Sequence, residues 1–135
     1  MKKLFVDTGA FLAKEIANDQ HHAEATENWW DLSSARTALY SSSHVLDKTM
    51  TLLARRTTYA WAADWGRDAL ASGISWLRAD EMEWKQALRL MQKFADQGVS
   101  FTDCLSFVLM RREGLREVLG FDGHFTAAGF RLRHN

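Results

Sequence analysis

The sequence predicts an α/β fold built on a mostly parallel sheet, and three features carry that prediction. Short β-prone apolar runs, beginning with Leu4-Phe5-Val6, alternate with longer stretches whose apolar residues recur every three or four positions. The first run stops abruptly at the polar Asp7, and helical spacing takes over at once. Strands alternating with helices in this way assemble into a parallel sheet with helices on both faces. The third feature is bulk: 135 residues, 47% of them hydrophobic, with no proline and no low-complexity stretch, fit one domain with its own core.

Taken in order, Leu4-Phe5-Val6 is a buried strand, and Phe11, Leu12 and Ile16, with Ala13 and Ala17, mark a first helix that fades near Asn18-Asp19-Gln20. Residues 21–34 carry Ala25, Trp29 and Leu32 on one face, the pattern of a second helix. His21 and His22 are adjacent and would point about 100° apart on a helix. They make a poor metal pair and fit a solvated helix start. Residues 37–41 are β-prone and give a second strand. Ser41-Ser42-Ser43 offers N-caps for a helix through Val45, Thr49, Leu52 and Leu53 to Arg55 and Arg56, whose charges suit a helix C-terminus or a phosphate. Residues 59–71 form another helix, stopped by Gly73, with Trp61 and Trp65 one turn apart. Two such tryptophans are core or, if left uncovered, a face for self-association.

Residues 74–78 alternate as a third strand, and Asp80 caps a helix over 81–95 with Trp84, Ala87, Leu88 and Met91 expected inward. Gly98 ends that unit. Ser100 and Asp103 have capping-box spacing, and the apolar helix they open, over 104–112, belongs at the centre. Residues 117–121 are a fourth strand, cut off by Asp122-Gly123-His124, and 130–132 a last one.

Acidic and basic residues number 17 each, so no global charge draws the chain to nucleic acid or membrane. Any polyanion site must be local. The lone Cys104 can form no internal disulfide and, among Leu105, Phe107 and Val108, fits a small buried hydrophobe. Nothing resembles a signal peptide or membrane span, so a reducing cytoplasm is expected.

Three acids fall in comparable places: Asp7 after the first strand, Asp103 in the first turn of the central helix, and Asp122 after the fourth strand. Open α/β sheets bind ligands at the C-terminal ends of their strands, and these positions share that edge. Each acid also has a local explanation. Asp7 can cap a helix, Asp103 can complete a capping box, and Asp122-Gly123 can be a tight turn. Their joint placement favours a site. Converging carboxylates repel unless a cation lies between them, and hard oxygen donors suit Mg²⁺ or Mn²⁺. Such a site serves in-line attack of water on a phosphodiester. No His-Cys set for zinc, no glycine-rich phosphate loop and no Ser-His-Asp arrangement competes with it.

Four stretches carry a family resemblance: Leu4 to Phe11, Ser42 to Leu53, Ser100 to Phe107 and Phe121 to Phe130. Together, and in this order, they resemble the PIN domain and, within it, the VapC-like toxins of toxin-antitoxin modules. The resemblance implies a three-layer α/β/α sandwich and a metal-dependent endoribonuclease with an acidic Mg²⁺ or Mn²⁺ pocket. It also implies an RNA substrate, a homodimer and a cognate antitoxin. Asp7, Asp103 and Asp122 match the family's acidic positions, and Thr8 and Thr102 are their adjoining hydroxyls.

One position departs from the pattern. On the helix after the second strand, where the family has glutamate, this chain has Lys48. Lys48 is spaced to share a face with Val45 and Leu52, while Asp47 lies about 100° away and cannot substitute. Lys48 is then expected to form salt bridges with Asp7 and Asp103 and to take the metal's place. Three readings stay open, an inactivating change in a toxin, a naturally weakened PIN domain, or a Lys48 that holds substrate phosphate, and loss or strong reduction of activity is the expectation. The competing reading is a catalytically inactive PIN-like module that binds an antitoxin or RNA. A haloacid-dehalogenase-type phosphatase would need a second acid two residues after Asp7, where Gly9 stands.

Overall fold

The computed structural model describes residues 2–34 and 36–133, apart from the side chains of Ser33 and Ser34. Five strands form one sheet in the order β3-β2-β1-β4-β5: β1 Lys2–Val6, β2 Thr37–Ser42, β3 Ser75–Leu77, β4 Glu117–Leu119 and β5 Arg131–Arg133. All four pairings are parallel. The central β1 buries Leu4, Phe5 and Val6 in succession, as a parallel strand covered on both faces requires. It pairs Phe5 with Tyr40 of β2 and Val6 with Leu119 of β4. The chain winds outward from β1 through β2 to β3, then returns to β4 on the other side. The switch point of the sheet therefore lies between β1 and β4.

Right-handed crossovers place α1 (Thr8–Glu15), α2 (His22–Ser34), α3 (Ser43–Arg56) and α4 (Tyr59–Leu70) on one face. The other face holds α5 (Glu81–Lys93), α6 (Phe101–Arg112) and α7 (His124–Ala127). Packing follows this division: α1 touches α2 and α3, α3 touches α4, and α5 touches α6. The result is the three-layer α/β/α sandwich. Helix α6 is buried continuously from Asp103 to Met110, which a helix apolar on all sides demands. Its Phe107 packs edge-on against Phe94 and Phe125, and Cys104 is fully buried beside it.

Several expectations need correction. On α5, Ala87 is buried, but Trp84, Leu88 and Met91 are 43%, 50% and 42% exposed. The buried stripe instead runs through Glu83, Ala87 and Phe94. Glu83 is drawn inward by Arg112 at 2.7 Å and by a complete capping box with Asp80. A partly buried ion pair, with Glu83 inside and Arg112 reaching in from the surface, accompanies the turning of this helix away from its apolar stripe. At Ser100 only half a box forms, its hydroxyl accepting from the Asp103 N–H. In the last turn of α6, Arg111 donates to the Ala128 carbonyl and Arg112 to the Arg78 carbonyl. Strand β4 is shorter than expected, ending at Leu119, so Phe121 leaves the sheet.

Candidate active site

The C-terminal ends of β1 and β4 open onto a pocket whose walls include Asp7, Thr8, His21, Lys48, Asp103, Phe121 and Asp122. Asp7 occupies the N-cap position of α1, yet its side chain makes no capping bond to that helix's first turn. Its backbone N–H donates to the Leu119 carbonyl at 3.0 Å, extending the β1–β4 ladder by one residue. That closeness depends on Gly120, where a Cβ would stand 3.2 Å from the Asp7 Cβ. The carboxyl is thus held inside, only 6% exposed. Burial pushes its pKa up to about 6, against the Thr8 N–H and the Lys48 charge, with Asp122 adding to the rise.

Asp103 is 5% exposed at the start of α6. Burial first, then the charge of Asp7 and a hydrogen bond with Asp122, raise its pKa to about 8. Asp122 lies at the rim, with its Oδ1 accepting from the His124 N–H at 2.9 Å. The same turn brings the His124 Nδ1 to 3.2 Å from that Oδ1 and 3.8 Å from the Asp103 Oδ2. His124 is a residue that the sequence reading missed. Its one clue was its place two residues after Asp122, where the short α7 turns a side chain back over the strand end.

The three predicted acids therefore line one pocket, although the donor set at ligand spacing joins Asp103 and Asp122 with His124 and leaves Asp7 outside it, and the neighbouring positions divide. Thr8 is buried beneath Asp7 and accepts from the Thr49 hydroxyl at 3.4 Å. Thr102 is half-buried on α6 and does not line the pocket. Lys48 lines the pocket but is exposed, so the expectation that it shares the inward face with Val45 is corrected. The inward positions of α3 are Val45, Leu46, Thr49 and Leu53, with Thr49 drawn in by Thr8. No direct ion pair joins Lys48 to a carboxylate among the described residues, and its charge reaches Asp7 and Asp103 through space. The histidines also differ from expectation. His21 stacks flat on Phe121, with ring centroids 4.0 Å apart and planes within 3°, while the His22 Nδ1 lies 2.7 Å from the Ala13 carbonyl oxygen.

Chemically, the donors suit a divalent cation. Carboxylates pushed to bind protons by burial and mutual repulsion are relieved by a dication, and one oxygen from each of Asp103 and Asp122 lies with a His124 nitrogen within 4.8 Å of one another. Lys48 opposes such an ion, being a cation in the same pocket.

The comparisons with known proteins agree with this geometry. The PIN domain family matches residues 4–131. The 23S rRNA-specific endonuclease VapC20 of Mycobacterium tuberculosis (strain ATCC 25618 / H37Rv) is 36% identical over 129 residues, covering 94% of this chain and 95% of VapC20. The crystal structure of M. tuberculosis VapC20, a Sarcin-Ricin loop cleaving toxin, superposes with a TM-score of 0.87 at 31% identity, over 98% of this chain and 99% of that one. VapBC2 of Rickettsia felis, bound to a DNA fragment from its promoter, shares the fold, with a TM-score of 0.68 at 13% identity over 97% of each chain. PIN nucleases generally depend on a divalent metal, as the acidic cluster here would allow. No helix among the described residues is long and apolar enough to cross a membrane. With the family match spanning residues 4–131 and the three acids meeting at the sheet's switch point, this chain belongs to the PIN domain family.

Proposed function

We propose that this chain is a VapC-type toxin ribonuclease that hydrolyses RNA phosphodiesters with Mg²⁺ or Mn²⁺ held by Asp7, Asp103 and Asp122. The observation that carries this reading is the meeting of three carboxyls at the β1–β4 switch point, two of them buried and pushed towards protonation. The cation would polarise the phosphate and lower the pKa of the attacking water. Asp7 and Asp103, buried on the ends of a strand and a helix, fix the position of the charge. Asp122 at the rim is placed to meet the RNA backbone side of the cluster. The Thr8 N–H favours the charged form of Asp7, and the Thr8 hydroxyl accepts from Thr49. Thr102 has no such role.

The likeness to VapC20 over nearly the whole chain supports structured 23S rRNA as substrate, and the likeness to VapBC complexes supports a cognate antitoxin that restrains the activity. The chain works as one domain, in the cytoplasm, as a homodimer.

Lys48 places a cation beside the carboxylates and supplies no ligand, so we expect impaired activity. The same observation favours the second reading, a catalytically inactive module that binds antitoxin or RNA. Cleavage of ribosomal RNA in Mn²⁺, compared between this chain and its Lys48→Glu variant, decides between them. The variant should cut at least about tenfold faster, equivalent to about 1.4 kcal/mol of barrier, and chelator should stop it. Equal rates would refute the impairment, and no cutting by either would favour the binding module.

A further inference from the structure

The buried Nδ1 of His124 is aimed at the carboxyl oxygens of Asp103 and Asp122, and no hydrogen-bond partner satisfies it. A buried ring nitrogen without a partner is costly, by about 1–3 kcal/mol. Both oxygens are close, at 3.2 Å and 3.8 Å, yet neither completes a bond with it. A ligand between the three would remove that cost. Donor atoms each about 2.1 Å from one ion lie roughly 3 Å apart when they subtend a right angle. The 3.2 Å separation from Asp122 is close to that, and the 3.8 Å separation from Asp103 is wider. The His124 side chain is one-third exposed, so with Nδ1 inside, its outer edge is left to water, which can hold the remaining ring proton.

Resting on the reading of the acidic cluster as a metal centre, we propose that His124 Nδ1 is a metal ligand beside Asp103 and Asp122, making the site selective for a transition dication over Mg²⁺. His124 adds a donor to the Asp103 and Asp122 pair, where Lys48 on the pocket wall supplies none. Imidazole is a poor partner for Mg²⁺, which holds oxygen ligands and water, and a good one for first-row transition ions.

The test uses the metal-free full chain with Mn²⁺ as the probe, read by electron paramagnetic resonance. Echo-modulation spectra of the bound ion should show coupling to an imidazole ¹⁴N. In His124→Ala the coupling should vanish and the Mn²⁺ Kd should rise at least about tenfold, with the fold checked by circular dichroism. His21→Ala, which removes the imidazole that lines the pocket wall, should leave the coupling in place. Mg²⁺ should displace Mn²⁺ from His124→Ala at a lower excess than from the parent chain. Mn²⁺ bound with no nitrogen coupling, or coupling lost only in His21→Ala, would overturn this assignment and leave the metal centre standing. Failure of Mn²⁺ to bind at all would overturn both.

Discussion

Helix α1 joins two regions built on opposite physics. At its start, Asp7 contributes to a pocket where buried carboxyls repel one another and are pushed towards protonation. One turn on, Phe11 enters an aromatic cluster, 5.8 Å from Trp29, 5.5 Å from Trp65 and 5.9 Å from Trp76. There, stacked and edge-on contacts satisfy the rings, and the Trp76 indole donates to the Ala69 carbonyl at 3.0 Å. The aromatic region packs without any ion, although the buried Trp29 indole nitrogen has no hydrogen-bond partner among the described residues, whereas the acidic one gathers carboxyls that only a cation relieves. Mutations should therefore have opposite signs in the two places. Loss of charge at the strand ends relieves the fold and abolishes activity, and loss of a ring weakens the fold and leaves the chemistry intact.

The largest effect belongs to Asp103→Asn in the Lys48→Glu background. RNA cleavage should fall at least about 10³-fold, since several kcal/mol of charge stabilisation is lost. Stability should move the other way in chelator. Asp7 and Asp103 have folded pKa values of about 6 and about 8, above the ordinary 3.8, so the folded state holds more protons than the unfolded one across that window. Their contribution is intact below about pH 4 and is lost as pH rises through those values, by about 3 kcal/mol for Asp7 alone. Urea unfolding at pH 5 and pH 8 should show the parent weakening with pH and the asparagine variant weakening less. A variant less stable than the parent at both pH values would break the comparison.

A smaller, opposite effect tests the aromatic side. Trp65→Ala should cost about 2–3 kcal/mol, somewhat under the full price of a buried tryptophan because Trp65 is half-buried. Cleavage per folded molecule in the Lys48→Glu background should hardly change. A collapse of activity at unchanged stability would show that the two regions are coupled through α1.

What the sequence made legible follows the same division. Strand β1 and helix α6 could be read because apolar residues run through them without interruption, and that depends on composition alone. Asp7, Asp103 and Asp122 could be read because strand ends and helix starts fix their edge of the sheet. The α5 face was misjudged because Arg112, 29 residues away in sequence, pairs with Glu83 and holds that acid on the inner face of the helix. Lys48 was placed too far inward because helical spacing could not show Thr49 bonding to Thr8. His124 was missed because its role depends on the turn at Asp122 bringing its ring to Asp103 at the start of α6, which no periodicity encodes.

The smallest effect concerns what holds Asp103 in place. Ser100 accepts from the Asp103 N–H at 3.1 Å, and Asp103 gives nothing back to Ser100, its carboxyl being committed to Asp122. At the start of α5 the equivalent pair, Asp80 and Glu83, exchanges both bonds. The acidic site has thus given up half of a helix cap to free one carboxylate. Ser100→Ala should then cost about 1 kcal/mol, the worth of a single cap, and Asp80→Ala, which breaks a reciprocal box beside the Arg112 pair, should cost more. Thermal unfolding of the two variants in chelator measures the difference. If Ser100→Ala costs as much as Asp80→Ala, the Asp103 carboxyl also serves its own helix, and the separation between charge-bearing and fold-bearing regions fails at the residue where it should be sharpest.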